Sequence, residues 1–74
     1  MERVCFDYSR LRGRIVEKCG SQKNFADRLN ISEATMTSKL SSNTYFSQGE
    51  IARAMEILSI EPASLTDYFF TVRV

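Results

Sequence analysis

Residues 22–40, QKNFADRLNISEATMTSKL, carry two short helical patterns of apolar residues that meet at an asparagine. The apolar positions of the first pattern share one helical face and those of the second share another: Phe25, Ala26 and Leu29, then Met36 and Leu40. Asn30 tolerates the left-handed backbone conformation that usually needs glycine, and Ser32 can cap a new helix. The segment therefore predicts a helix, a tight turn and a second helix.

The residues before this segment predict another helix. Asp7 can cap it, with Phe6 and Leu11 in contact across its first turn, and Gly20 supplies the stop. Three apolar residues at helical spacing then line its inner face: Leu11, Ile15 and Cys19. Ser21 follows as the cap of the next helix.

Two further helices are predicted after the segment. Ser47 and Glu50 have the spacing of a capping box, which starts a fourth helix. Its inner face is predicted to hold four apolar residues: Ile51, Ala54, Met55 and Leu58. Pro62 suits the first position of a short fifth helix.

The last residues, 70–74, alternate and are rich in β-branched side chains. They can form a short strand only if they find a partner, either residues 4–6 or a second subunit. The sequence as a whole therefore predicts an all-α fold: a compact bundle of four to five short helices in one domain over residues 1–74, with a helix-turn-helix at 22–40 and a C-terminal strand if that partner exists.

Length and composition argue against catalysis. A chain of 74 residues buries only about 60% of its unfolded surface, which leaves little material for a concave catalytic pocket. There is no histidine and no recognisable triad, glycine-rich loop or metal-ligand spacing, so we expect no enzyme activity, cofactor or metal. Cys5 and Cys19 are expected to be free thiols. With no signal peptide and no apolar run of ~18 residues, a cytoplasmic protein without membrane contact is expected.

The charged residues are divided unevenly along the chain, although the net charge is only +1. Residues 1–40 hold eight basic and five acidic residues, a net +3, whereas residues 41–74 hold two and four, a net −2. Such a division suits a front that faces DNA and a back that faces protein.

The outward face of the third helix is unusual, because an ordinary solvated face would favour Lys, Glu and Arg. When Met36 and Leu40 point inward, the outward and flanking positions are short or hydroxylated. A helix with such a slim face fits the major groove, about 12 Å wide, and offers donors, acceptors and methyl groups to base edges. The predicted base-contacting residues are Glu33, Ala34, Thr37 and Ser38.

Phosphate contacts are expected from helix starts and from the loop that follows the third helix, because free backbone amides attract anions. The predicted phosphate-contacting residues are Gln22, Lys23, Lys39, Asn43 and Thr44. Each of these side chains could instead be merely solvated, so only their grouping around one helix supports the prediction.

Residues 22–40 resemble the helix-turn-helix of the Cro and repressor family of lambda-like phages. Six positions carry the resemblance. Gln22 opens the motif, and Phe25 and Ala26 pack against the next helix. Leu29 and Ile31 lie on either side of the turn, and Met36 is the buried residue of the second helix. Two stretches nearer the ends, FDYSRLRGRIVEKCGSQKNFA and DYFFT, resemble small single-domain phage and prophage Cro-like regulators.

The resemblance implies that the third helix enters the major groove and that a dimer reads a two-fold related operator. It places Glu33, Ala34, Thr37 and Ser38 on bases, and Gln22, Lys39, Asn43 and Thr44 on phosphates. Two positions depart from the family pattern: Asn30 stands where glycine is usual, and Lys39 stands where an aliphatic residue is common. The stem of Lys39 can pack while its charge reaches outward.

The leading hypothesis is a sequence-specific transcriptional regulator that binds double-stranded operator DNA as a homodimer and represses a promoter. Half-sites about 34 Å apart would let each third helix enter one major groove. The best apolar candidates for the dimer contact are Tyr68, Phe69, Phe70 and Val72, which could equally close the core of the monomer.

The alternative hypothesis is a phage modulator or antirepressor that keeps the helix-turn-helix fold but binds a repressor protein. The low net charge favours it, because specific duplex binding depends on phosphate neutralisation. Glu33 on the outward face is also easier to place against protein than against phosphates.

Overall fold

The computed structural model describes residues 4–73, and these form an all-helical bundle as predicted. The helices are α1 (Ser9–Cys19), α2 (Gln22–Leu29), α3 (Glu33–Leu40), α4 (Gln48–Leu58), a short 3-10 helix (Pro62–Ser64) and α5 (Leu65–Phe69). The helices α2 and α3, joined by a tight turn, occupy the segment predicted to be a helix-turn-helix. Within the described part of the chain, no helix is long and apolar enough to cross a membrane.

Three serines begin helices as predicted. The hydroxyls of Ser21, Ser32 and Ser47 each accept a hydrogen bond, 3.1 Å long, from the amide three residues later. In the capping box, the Glu50 carboxylate also accepts the Ser47 amide at 2.8 Å. These side chains satisfy amides that helix geometry leaves without partners, which is why the starts could be located from the sequence.

Helix α1 begins later than predicted, with Tyr8 rather than Asp7 in the capping position. Tyr8 is buried, and its carbonyl accepts the first helical hydrogen bond, from the Arg12 amide at 2.8 Å. The Asp7 carboxylate instead accepts from the Ser9 hydroxyl at 2.6 Å and the Ser9 amide at 2.9 Å. These two hydrogen bonds hold the pKa of Asp7 below its ordinary value. The cap prediction was therefore wrong by one residue: the buried Tyr8 occupies the capping position, and Asp7 lies just before it.

The turn between α2 and α3 has the predicted left-handed residue. Asn30 has φ 62° and ψ 40°, and its amide donates to carbonyls in the last turn of α2. Gly20 ends α1 in a similar way, with φ 84° and its amide on the Val16 carbonyl at 3.0 Å.

Asn30→Val is expected to destabilise the fold by about 1–2 kcal/mol, because the left-handed conformation brings Cβ against the following carbonyl. Asn30→Gly is the matched control and should remain within about 0.5 kcal/mol of the parent. Urea unfolding followed by circular dichroism measures both. Equal stability of the two variants would contradict the left-handed turn.

One apolar core joins all five helices. Its largest fully buried side chains are Leu11, Ile15, Phe25, Met36, Leu40, Leu58 and Phe69. The predicted inner face of α1 is confirmed, since Leu11, Ile15 and Cys19 are all buried. On α4 only Ala54 and Leu58 are fully buried, whereas Ile51 and Met55 lie half-buried at the edge of the core.

The C-terminal segment pairs with the N-terminal one. Phe6 and Val72 form an isolated antiparallel bridge, flanked by hydrogen bonds from Asp7 to Thr71 (2.7 Å) and from Arg73 to Cys5 (2.9 Å). The sequence left two partners open for this segment, and in the structure it pairs with residues 4–6 of the same chain. The pairing is a bridge rather than a full strand, and it closes the two ends of the bundle together.

Candidate interface on helix α3

Helix α3 presents the surface predicted from its sequence. Met36 and Leu40 are buried in the core, with at most 1% of their surface exposed, and hold the helix against the bundle. The opposite side is open: Glu33, Ala34 and Thr37 are exposed, and Ser38 is half-buried. The predicted outward orientation is confirmed for Glu33, Ala34 and Thr37 and only in part for Ser38, whereas contact of these four residues with DNA bases stays a prediction.

A side-chain hydrogen bond ties the start of α2 to this surface. The Gln22 amide nitrogen donates to the Thr37 hydroxyl oxygen at 2.9 Å. The Thr37 hydroxyl proton stays available for a ligand, but its oxygen is now oriented by Gln22. Gln22 therefore acts within the interface as a residue that positions Thr37, and Lys23 beside it is exposed.

The loop after α3 folds back against the end of the helix. The amides of Asn43 and Thr44 both donate to the Ser38 carbonyl, at 2.9 Å and 3.4 Å, and both side chains are exposed. Ser42 has φ 62°, and its buried hydroxyl accepts the Phe6 amide at 3.0 Å. The Tyr45 hydroxyl donates to the Val4 carbonyl at 2.6 Å. The N-terminal segment thus holds this loop beside α3, where phosphate contacts were predicted.

Lys39 does not belong to this surface. Only 9% of the residue is exposed, and its ammonium donates to the Tyr45 carbonyl and the Glu50 carboxylate, each at 3.0 Å. The ammonium also lies 5.8 Å from the centre of the Phe46 ring. The charge is directed at the start of α4, so the predicted phosphate contact by Lys39 finds no support in the structure. Its partners come from outside the helix-turn-helix, and no pattern inside that segment could have indicated them.

Most cations of the described residues are engaged inside the molecule. The basic side chains that form hydrogen bonds or ion pairs within the chain are Arg10, Arg12, Arg14, Lys39 and Arg53. Of the remaining ones, only Lys23 is among the residues predicted for the interface. Because Glu33 has the opposite sign to Lys23, the residues predicted for the interface, apart from Lys39, sum to no net charge.

Arg12 is an interface candidate that the sequence did not indicate. Its guanidinium donates to the Leu40 carbonyl at the end of α3, at 3.3 Å, and the residue is exposed. Together with Val16 and Gln22 it lines a shallow depression of about 140 Å³. Arg12 lies on α1, so only the packing of α1 against the helix-turn-helix brings it here.

The predicted dimer residues divide into two groups. Phe69 is 1% exposed and packs edge to face on Phe46 at 5.7 Å, so it belongs to the core. Tyr68 is half-buried, whereas Phe70 and Val72 are 45% and 57% exposed. Phe69 therefore closes the core of the monomer. A dimer contact stays a prediction for Tyr68, Phe70 and Val72.

No metal site is evident in residues 4–73, where no three potential ligands among Cys, Asp and Glu are grouped. Cys5 is exposed and Cys19 buried, and neither forms a disulfide.

Comparison with known proteins places this fold among phage regulators. A family model described as "Protein of unknown function (DUF739)" matches residues 4–72. The solved structure of the modulator of repression (MOR) of the temperate bacteriophage TP901-1 from Lactococcus lactis is similar, with a TM-score of 0.79 and 41% sequence identity. The match covers 89% of each chain.

A search of curated proteins gives no significant match. The narrower resemblance to Cro-like regulators stays a prediction, whereas the phage regulatory character is supported by the modulator's structure. The chain therefore belongs to the DUF739 family and is a phage regulatory protein.

Proposed function

We propose that this protein is a modulator of repression that binds a phage repressor protein and thereby alters how the repressor acts on its operator. The observation that carries the proposal is the 41% identity to the TP901-1 modulator of repression across 89% of both chains. The function is one of binding and includes no catalytic step.

The charge distribution supports a protein partner. Affinity for duplex DNA comes largely from cations that neutralise phosphates. Around α3, Lys23 is exposed without an internal partner, Arg12 gives one N–H group to the Leu40 carbonyl but keeps its charge, and Lys39 is neutralised by Glu50. With Lys23 and Arg12 as the open cations beside α3, a monomer is poorly equipped to bind an operator alone.

Operator binding by a homodimer is the second candidate function, and the surface of α3 favours it. Its exposed residues are short, and the hydrogen bond from Gln22 orients Thr37 before any ligand arrives. In this case Glu33, Ala34, Thr37 and Ser38 contact bases, and Gln22, Lys23, Asn43 and Thr44 contact phosphates.

The two functions are distinguished by fluorescence anisotropy with labelled operator DNA, the full-length repressor encoded by the same phage or prophage, and this protein. As a modulator, the protein alone binds operator and random DNA equally weakly, and its addition shifts the repressor's apparent Kd for the operator at least tenfold. Size-exclusion chromatography should also show a complex with the repressor. Tight, salt-dependent and operator-specific binding by the protein alone would contradict the proposal and support the second candidate.

Replacing both Thr37 and Ser38 by alanine is expected to leave folding intact, because Thr37 is exposed and Ser38 half-buried. If α3 reads an operator, the double variant should lose at least tenfold in specific binding and much less in binding to random DNA. If the protein acts only on a repressor through another surface, repressor binding should stay within twofold of the parent. Circular dichroism melts provide the folding control.

A further inference from the structure

An apolar groove lies between α4 and the C-terminal part of the chain, away from the residues predicted to contact DNA. It has a volume of about 310 Å³ and is lined by Gln48, Ile51, Ala52, Met55, Leu65 and Phe70. Ile51, Met55 and Leu65 are only half-buried, and Phe70 is 45% exposed. Monomeric proteins seldom leave adjoining large apolar side chains open to water unless a partner covers them.

The surroundings of this groove are acidic. Glu56 follows Met55 and lies one helical turn after Ala52, and Glu61 precedes the 3-10 helix that leads to Leu65. Both glutamates are exposed, and their carboxylates form no hydrogen bond or ion pair with any residue that the structure describes, although their backbone carbonyls accept amides of the chain. No Lys or Arg occurs from residue 54 to residue 72. The Glu56 carboxylate therefore lies one helical turn from Ala52 of the groove, while the Arg14 guanidinium at the end of α4 is occupied by the Leu58 and Ser59 carbonyls and by Glu17.

We propose that this groove is the docking site for the repressor, and that it takes an amphipathic segment with large aliphatic or aromatic side chains beside Lys or Arg. The inference rests on the proposed function and states which surface of the protein binds the repressor. The apolar side chains of the partner fill the groove against Met55, Leu65 and Phe70, while its cations pair with Glu56 and Glu61. Such pairs at the rim mainly raise the association rate and select the partner.

Charge also argues against the two other occupants that the groove could have. Two copies of this chain related by a two-fold axis would bring the same patch against itself, so Glu56 and Glu61 would meet like charges, and no Lys or Arg lies between residues 54 and 72 to offset them. Nucleic acid is disfavoured because its phosphates would face the same carboxylates. A basic partner protein satisfies both the apolar groove and its acidic rim.

The test compares two reversals of an acidic residue that change the net charge equally. Glu56→Lys alters the rim of the groove, and Asp27→Lys alters the exposed side of α2, outside both candidate surfaces; both residues are exposed on helices. Ala52→Arg is a second groove variant, which fills the groove from an exposed helical position without changing the core. Thermal melts monitored by circular dichroism show whether each variant keeps the parent fold.

Binding of each variant to the full-length repressor of the same phage or prophage is measured by isothermal titration calorimetry. Glu56→Lys and Ala52→Arg are expected to weaken binding at least tenfold, and Asp27→Lys should stay within twofold. Parental affinity in both folded groove variants would overturn the inference but leave the proposed function standing. Failure of the parent itself to bind the repressor would overturn both. A parental dimer that Ala52→Arg dissociates in sedimentation equilibrium would make a second copy the occupant and also overturn it.

Discussion

Replacement of Phe69 by alanine is expected to remove about 3–5 kcal/mol of stability. Phe69 is 1% exposed and packs edge to face on Phe46, which in turn packs on Tyr8, each pair at 5.7 Å between ring centres. A domain of this size has a total stability of only roughly 4–11 kcal/mol, so one truncated aromatic ring is a large loss. Urea unfolding followed by circular dichroism gives the free energy of unfolding.

Phe70→Ala is the matched control, because it removes the same side chain at the next position. Phe70 is 45% exposed, although it contacts Phe6 edge to face at 5.9 Å. Its truncation should cost no more than about 1.5 kcal/mol, the upper range for an aromatic pair. If Phe69→Ala instead kept parental stability and changed the oligomeric state, Phe69 would be an interface residue and its place in the core would be wrong.

The helix ends could be predicted because their causes are local. Ser21, Ser32 and Ser47 each accept an amide three residues away, and Asn30 adopts its left-handed conformation within a single turn. The same reasoning failed for Asp7. A carboxylate just before a helix fits the sequence pattern of a cap, but Asp7 does not occupy the capping position of α1. The capping position is taken instead by Tyr8, which is buried and packs on Phe46 far along the chain.

The face of α3 was predictable and its electrostatics were not. The helical spacing of the apolar residues alone predicts that Met36 and Leu40 point inward, and therefore that Ala34 and Thr37 point outward. The charge that this face presents depends on hydrogen bonds across the fold. Arg12 donates to the Leu40 carbonyl, and Lys39 turns towards α4.

Similar long-range contacts engage other cations. Arg14 donates to the Leu58 and Ser59 carbonyls, at 2.9 Å and 3.0 Å, and Arg53 donates to the Arg28 carbonyl at 3.2 Å. A count of Lys and Arg therefore does not show how many donors remain for phosphate, since several arginines give some of theirs to carbonyls of the fold. The sequence favoured an operator-binding regulator because of the slim face of α3 and the resemblance to Cro-like regulators, whereas the 41% identical relative favours a partner protein.

The second large effect is expected at the ion pair between α3 and α4. Glu50→Ala should destabilise the protein by about 3 kcal/mol, somewhat less than the 3–5 kcal/mol of breaking a fully buried pair. The variant removes the capping interaction with Ser47 and leaves the Lys39 ammonium, whose side chain is 11% exposed, without its carboxylate. Urea unfolding at pH 7 measures the loss.

Lys39→Met should cost less than about 1 kcal/mol, although it breaks the same ion pair. The methionine side chain can occupy the space of the lysine stem beside Phe46, which avoids an unpaired buried charge. Glu50 loses one partner but keeps the Ser47 amide, and its side chain is 24% exposed to water. Equal losses in Glu50→Ala and Lys39→Met would show that the ion pair itself, rather than the burial of the lysine charge, determines the stability.

The same pair predicts a pH dependence. Burial raises the pKa of Glu50, but hydrogen bonds from Ser47 and Lys39 outweigh it and hold this pKa below its ordinary value of 4.5. The native state therefore binds this proton less readily than the unfolded chain, so the stabilisation is complete above about pH 4.5 and is lost as the pH falls through the lowered pKa. Between pH 6 and pH 3 the parent should lose more stability than Glu50→Ala. Asp7 also has a lowered pKa but is present in both proteins, so parallel losses would show that Glu50 does not contribute.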